Sequence, residues 1–176
     1  MKIAVYCGSA SGNDPIYAET AAQLGRWIAL NGHELVFGAS DSGLMGAVAN
    51  AVLENGGTVT GVVPDVPEIR ARMHKGLTET ILTPDMSERK KTMLELADAY
   101  IALPGGIGTL DEITEVICLA QLRIHTKACV LYNVNGYYEP LRQLFETMDT
   151  AGFGHIGGNG RVLFSDDLEE IGRFIK

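Results

Sequence analysis

The sequence predicts an α/β fold of the Rossmann-like, doubly wound type: a single domain around a mostly parallel sheet of six or seven strands. Three observations carry this. Short apolar runs alternate with amphipathic segments along nearly the whole chain, as repeated βα steps require. Several of those runs are continuously apolar, as strands covered on both faces are. Glycine-rich turns at 8–12, 38–46 and 104–109 stand where a strand would hand over to a helix.

Each element has its own signal. Residues 2–7 read as the first strand. Asp14 then precedes Pro15, an N-cap followed by proline at the first helical position, and opens a helix over 15–30. A strand at 34–37 leads to a helix at 44–55, which Gly56 and Gly57 end. Strands follow at 58–63 and 78–82, with Asp65 and Glu68 as loop charges between them. Asp85 and Glu88 form a capping pair for a helix at 86–97. The apolar strand 99–103 runs into a glycine loop, after which a helical pattern covers 110–122. Strands at 128–131 and 161–164 and helices at 138–151 and 168–175 complete the chain. No linker, repeat or low-complexity tract divides residues 1–176, so one domain is expected.

Composition narrows the function classes. The net charge of −8 argues against a nucleic-acid partner, which needs a basic face. A small anionic ligand stays open, because local N–H groups and one or two cations can hold a phosphate. No apolar run reaches the length of a membrane span, and residues 1–7 are too short for a secretory apolar core. Cys7, Cys118 and Cys129 form no CxxC pair and read as buried, reduced thiols of a cytoplasmic protein. His33, His74, His125 and His155 show no ligand spacing, so neither a metal nor another cofactor is expected.

In open α/β sheets, ligands gather beyond the carboxyl ends of the strands where strand order reverses. That rule pulls the three glycine loops to one edge and points to a nucleotide pocket. The first loop lacks the spacing of the dinucleotide fingerprint, and no Gly-Lys-Ser/Thr follows any loop, so neither a dehydrogenase nor a P-loop site is supported. For Pro104-Gly105-Gly106-Ile107-Gly108-Thr109-Leu110-Asp111-Glu112 two readings stand. One is a phosphate cradle made of backbone N–H groups at a helix start. The other is a tight turn capped by Thr109, with Glu112 as its capping-box partner.

Taken together, Cys7-Gly8-Ser9, Gly43-Leu44-Met45-Gly46, Met86 with Glu88-Arg89-Lys90, and Pro104 to Glu112 resemble the Lonely Guy (LOG) family of cytokinin riboside 5′-monophosphate phosphoribohydrolases. Ala120-Gln121-Leu122, Ile124-His125 and Asn133-Val134-Asn135-Gly136-Tyr137-Tyr138 extend the likeness over nearly the whole chain. Proteins of this pattern are also labelled possible lysine decarboxylases, but no aldimine lysine or pyridoxal phosphate site can be read here. The resemblance implies hydrolysis of the N-glycosidic bond of a nucleoside 5′-monophosphate, giving free base and ribose 5-phosphate. It implies Arg89 and Glu112 as the catalytic pair, and Lys90 and Gly105, Gly106, Ile107, Gly108 and Thr109 on the substrate, with Gly8, Ser9, Gly43 and Met86 beside them. It also implies a homodimer.

The residue chemistry fits those roles. Cleaving an N-glycosidic bond develops positive charge on the ribose, which a carboxylate such as Glu112 stabilises. Arg89 stays protonated and suits electrostatic work on the phosphate or the departing base. Lys90 lies about 100° further round the helix, so the two cannot fully share a face. Met45, Met86 and Met93 fit either an apolar base pocket or the core. Several positions depart from the family pattern: Gly38-Ala39-Ser40 followed by Asp41 replaces three glycines, Ser87 a histidine, Ile107 a tyrosine, and Cys118-Leu119 a Thr-Trp pair. Ala71 stands where the family has a glutamate on the base side, with Glu68 one turn earlier. These departures leave the base open: cytokinin or plain purine. A carrier or sensor that keeps the nucleotide pocket without hydrolysis is the alternative, and a ribosyl transferase a third reading.

Overall fold

The computed structural model describes residues 1–154 and 160–176; His155 lies outside them. Seven strands, β1 (Lys2–Tyr6), β2 (Glu34–Phe37), β3 (Thr58–Pro64), β4 (Glu79–Thr83), β5 (Ala99–Ala102), β6 (Ala128–Tyr132) and β7 (Val162–Ser165), form one sheet in the order β4-β3-β2-β1-β5-β6-β7. Every adjacent pair is parallel. The chain steps outward from β1 to β4, then returns to lay β5 on the other side of β1, in register Tyr6 to Ala102. Strand order therefore reverses between β1 and β5, and the loops after those two strands share one crevice.

The connecting helices are α1 (Pro15–Leu30), α2 (Gly43–Glu54), α3 (Pro67–Arg70), α4 (Met86–Leu96), α5 (Ile107–Gln121), α6 (Glu139–Thr150) and α7 (Leu168–Phe174). Side chains alternate across the sheet. Ile3 and Val5 pack with Leu24 and Ile28 of α1, Val48 of α2 and Ile171 of α7. Ala4 and Tyr6 face Met93 of α4, Ile113 of α5 and Phe145 of α6. The caps fall where expected: Asp14 Oδ1 accepts from Ile16 N at 3.0 Å, and Asp85 Oδ1 from Glu88 N at 2.9 Å.

Three expectations are corrected. Helix α5 starts at Ile107, with Gly106 as its N-cap, so Thr109 lies inside the first turn and is not a cap. A short helix, α3, fills the loop between β3 and β4. Cys118 is exposed while Cys7 and Cys129 are buried, because α5 turns Val116, Ile117 and Ala120 to the sheet and the intervening position outward. Among the described residues, no helix is long and apolar enough to cross a membrane.

Candidate active site

The first and third glycine loops are tied together at the strand switch. Gly8 N donates to Pro104 O at 3.1 Å, and Leu103 N to Tyr6 O at 2.9 Å. The Gly8 carbonyl in turn accepts from Leu44 N at 3.1 Å and Met45 N at 3.3 Å, so the N-terminal donors of α2 are used within the protein. Gly43 serves that packing: its φ is +60°, and a Cβ there would collide with the Ser9 carbonyl and Ala10. It does not itself line the cavity, and its part is to let the α2 N-terminus close on the first glycine loop.

The N-terminus of α5 is different. Gly106 offers no side-chain cap, and the first helical bond runs from Leu110 N to Gly106 O at 3.1 Å. The N–H groups before it have no partner within the helix and carry its positive end. Gly106, Ile107, Gly108 and Thr109 line a cavity of about 590 Å³, together with Gly8, Ser9, Met86, Arg89 and Glu112. Gly105 sits just behind this wall, where a Cβ would strike Thr109 Oγ1 and Gly8 N.

Arg89 and Glu112 meet at the inner end of the cavity. Arg89 Nη1 donates to Glu112 Oε1 at 2.6 Å and Arg89 Nε to Val62 O at 3.2 Å; the two residues are only 6% and 8% exposed. This contact settles the capping question, since the Glu112 carboxylate is engaged by Arg89 deep inside the first turns of α5. Burial pushes the Glu112 carboxyl above the usual carboxylate range, while the Arg89 charge and hydrogen bond pull it partly back. Burial, reinforced by Glu112, also holds the Cys7 thiol well above its ordinary range, and its side chain belongs to the core.

Gly38 makes room for the pair. A Cβ there would overlap Arg89 Nη2. Gly38→Ala is therefore expected to displace the guanidinium by about an ångström and cost roughly a hundredfold in turnover. Steady-state kinetics on folded protein check this; wild-type turnover would separate Arg89's position from activity. The neighbouring Ala39 holds a left-handed φ of +67°, a conformation glycine adopts without strain.

Lys90 is not brought to the cavity. Its Nζ pairs with Asp111 at 3.1 Å and Glu115 at 3.0 Å on the outer side of α4 and α5, because one residue of helix turns it away from Arg89. Those two carboxylates raise its pKa. Ser87 and Leu119 border a second recess together with Lys90, and neither lines the cavity. Ser40 does line the cavity; Ala71 does not, and Glu68 does.

Sequence reasoning missed the wall supplied by α3 and the residues after it. Glu68, Ile69, Arg72 and Met73 line the cavity, joining Met45 and Met86. The second loop pins this wall: Asp41 N donates to Arg72 O at 3.0 Å and His74 N to Ala39 O at 2.8 Å. The available signals were Pro67 at a helix start and apolar Ile69 and Met73 four apart. Met93, by contrast, is core. The cavity thus brings together N–H donors that have no hydrogen-bond partner among the described residues, a buried carboxylate with its arginine, and a wall where Met45, Ile69, Met73 and Met86 stand beside Glu68 and Arg72.

A family model described as "Possible lysine decarboxylase" matches residues 45–173. Among the described residues no lysine lines the cavity, so it holds no amine for an aldimine. The cytokinin riboside 5′-monophosphate phosphoribohydrolase of Rhodococcoides fascians is 43% identical over 171 residues, covering 95% of this chain and 85% of that protein. The cytokinin riboside 5′-monophosphate phosphoribohydrolase LOG7 of Arabidopsis thaliana is 44% identical over 152 residues, 86% of this chain and 70% of that one. Among solved structures, the molybdenum cofactor carrier protein of Chlamydomonas reinhardtii superposes with a TM-score of 0.75 at 21% identity over 98% of this chain and 96% of that chain, a likeness of fold alone. With the family model covering most of its length and these relatives alike over most of theirs, the chain belongs to the Lonely Guy family.

Proposed function

We propose that this protein hydrolyses the N-glycosidic bond of a nucleoside 5′-monophosphate of the cytokinin riboside or purine class, releasing free base and ribose 5-phosphate. The observation that carries the reading is the buried Glu112 carboxylate, held by Arg89 between the open N-terminus of α5 and an apolar wall. A phosphate binds the N–H groups of Gly106, Ile107, Gly108 and Thr109. That places the ribose over Glu112 and the base among Met45, Met73 and Met86.

As the C1′–N bond breaks, its electron pair leaves with the base and positive charge grows on the ribose. Glu112 faces that charge from a site where water does not screen it. A water oxygen then bonds to C1′, and one proton passes in net from water to the departing base. Arg89 is no proton donor; it offsets part of the burial that favours the neutral carboxyl and fixes the direction of Glu112.

A pH dependence follows. A carboxyl raised in the folded state binds its proton more tightly there than in the unfolded chain. Its contribution to stability is thus present below the ordinary carboxylate value and lost as pH rises through the raised one. Activity runs the other way, because the ionised form is the working one. The acid limb of kcat/KM, which reports the free enzyme, is expected above the ordinary Glu value of 4.5. A kcat/KM that is level down to that value would remove Glu112 from the charged role.

The same reading takes the protein as a cytoplasmic homodimer, supported by its family and by exposed Leu122 and Ile124 next to α5, apolar surface for a second copy. Sedimentation velocity tests the assembly. The central test incubates the protein with AMP and with isopentenyl-AMP and looks for free base and ribose 5-phosphate. Their release from either supports hydrolysis, and tight binding without release favours a carrier. Adding a competing free base shows whether the ribosyl group moves instead to an acceptor.

A further inference from the structure

Behind the glycine loop, three consecutive carbonyls are each held by a donor. Tyr138 Oη donates to Leu103 O at 2.7 Å, Gly8 N to Pro104 O at 3.1 Å, and Tyr137 Oη to Gly105 O at 2.5 Å. The two tyrosines come from the turn after β6. Asn133 Oδ1 accepts from Tyr138 N at 2.7 Å, and positive φ at Asn135 and Gly136 swings the chain back towards the loop. Tyr137 is braced by edge contacts with Tyr17 of α1 and with Tyr138, ring centroids 5.9 and 5.1 Å away.

The third bond has a consequence that the first does not. In a trans peptide the C=O and the following N–H point in opposite directions. Holding the Gly105 carbonyl on the Tyr137 side therefore sends the Gly106 N–H the other way, and Gly106 lines the cavity. A peptide between two glycines meets the least steric resistance to flipping. Flipped, it would show a carbonyl oxygen to an anion. The Leu103 carbonyl belongs to a peptide whose nitrogen is Pro104, which has no N–H to aim.

We propose that Tyr137 is a positioning residue for the anion site: its hydroxyl latches the Gly105–Gly106 peptide so that the Gly106 N–H faces the substrate's phosphate. Tyr138 holds the rear of the same loop without aiming a donor. The proposal rests on the phosphate reading of the α5 N-terminus given above.

Tyr137→Phe and Tyr138→Phe, each losing one hydroxyl, separate aiming from mere support. Affinity for inorganic phosphate and for ribose 5-phosphate is measured by calorimetry, alongside KM and kcat for AMP and thermal melting. Tyr137→Phe is expected to weaken both anions and raise KM for AMP by about tenfold, the worth of one well-aimed bond to a charged group, with kcat less affected. Tyr138→Phe is expected to lower the melting temperature and leave anion affinity at the wild-type level. Unchanged anion affinity in Tyr137→Phe, or an equal loss in both variants, overturns the latch. Wild-type protein that binds phosphate yet hydrolyses no nucleotide overturns the functional reading alone, and the calorimetric comparison still decides the latch. Wild-type protein that binds neither anion overturns both.

Discussion

Glu112→Gln is expected to lower kcat by about a thousandfold while leaving the fold in place, the scale seen when one preorganised electrostatic group is removed from a transition state. The substitution keeps shape and one acceptor oxygen for Arg89 but removes the charge that faces the developing cation. It also leaves the buried guanidinium without its counter-charge, which costs about 3 kcal/mol. For a domain of this size that lowers Tm by roughly 6–12 °C. Rates must therefore be read at a temperature where circular dichroism shows the variant folded. The double variant Arg89→Met, Glu112→Leu separates the two effects. Replacing a buried pair by apolar groups of similar volume is about neutral for stability, so it should melt near the wild type and still be inactive. Wild-type kcat in Glu112→Gln would leave the carboxylate a structural partner of Arg89 and nothing more.

The second large effect concerns the substrate. Removing the 5′-phosphate is expected to reduce kcat/KM by about a thousandfold or more. Any three of the four N–H bonds to this charged group, each worth roughly 1.5 kcal/mol net, already account for that factor. Part of the loss should fall on kcat, because binding energy from the remote phosphate holds the ribose in place over Glu112. AMP and adenosine compared in one base-release assay give the answer, and equal efficiencies would remove the phosphate from the α5 N-terminus. Gly108 supplies a companion test. A Cβ there meets no heavy atom within 4 Å, so Gly108→Ala should fold at least as well as the wild type. It should still weaken AMP, because the new methyl group occupies space beside the anion.

The strands and most helices were legible in the sequence because their signals are local. Apolar runs of four to six residues, Asp14 before Pro15 and Asp85 before Glu88 each act within a few residues of themselves. The start of α5 was misplaced by three residues for the same reason. Thr109 and Glu112 match a capping box in spacing, and only the arrival of Arg89 from α4 shows that the carboxylate is spoken for. Lys90 looked like a ligand beside Arg89 in the chain, yet Asp111 and Glu115 of α5 claim it. The α3 wall carried a faint local signal and takes its place at the cavity from the backbone bonds between the second loop and residues 72–74.

Local pattern, then, was enough for the α/β class and the strand-to-helix loops, whereas the pairing of Arg89 with Glu112 was implied only by the family resemblance. The first two depend on periodicity, turn chemistry and residue type, all of which are written along the chain. The strand switch between β1 and β5 determined the rest. It made the α2 N-terminus spend its donors on the Gly8 carbonyl and left that of α5 open. It brought Tyr137 and Tyr138 behind the loop that leads into α5. Contacts between residues 23, 32 or 35 positions apart leave no periodic trace in a sequence, because what selects them is the packing of one surface on another.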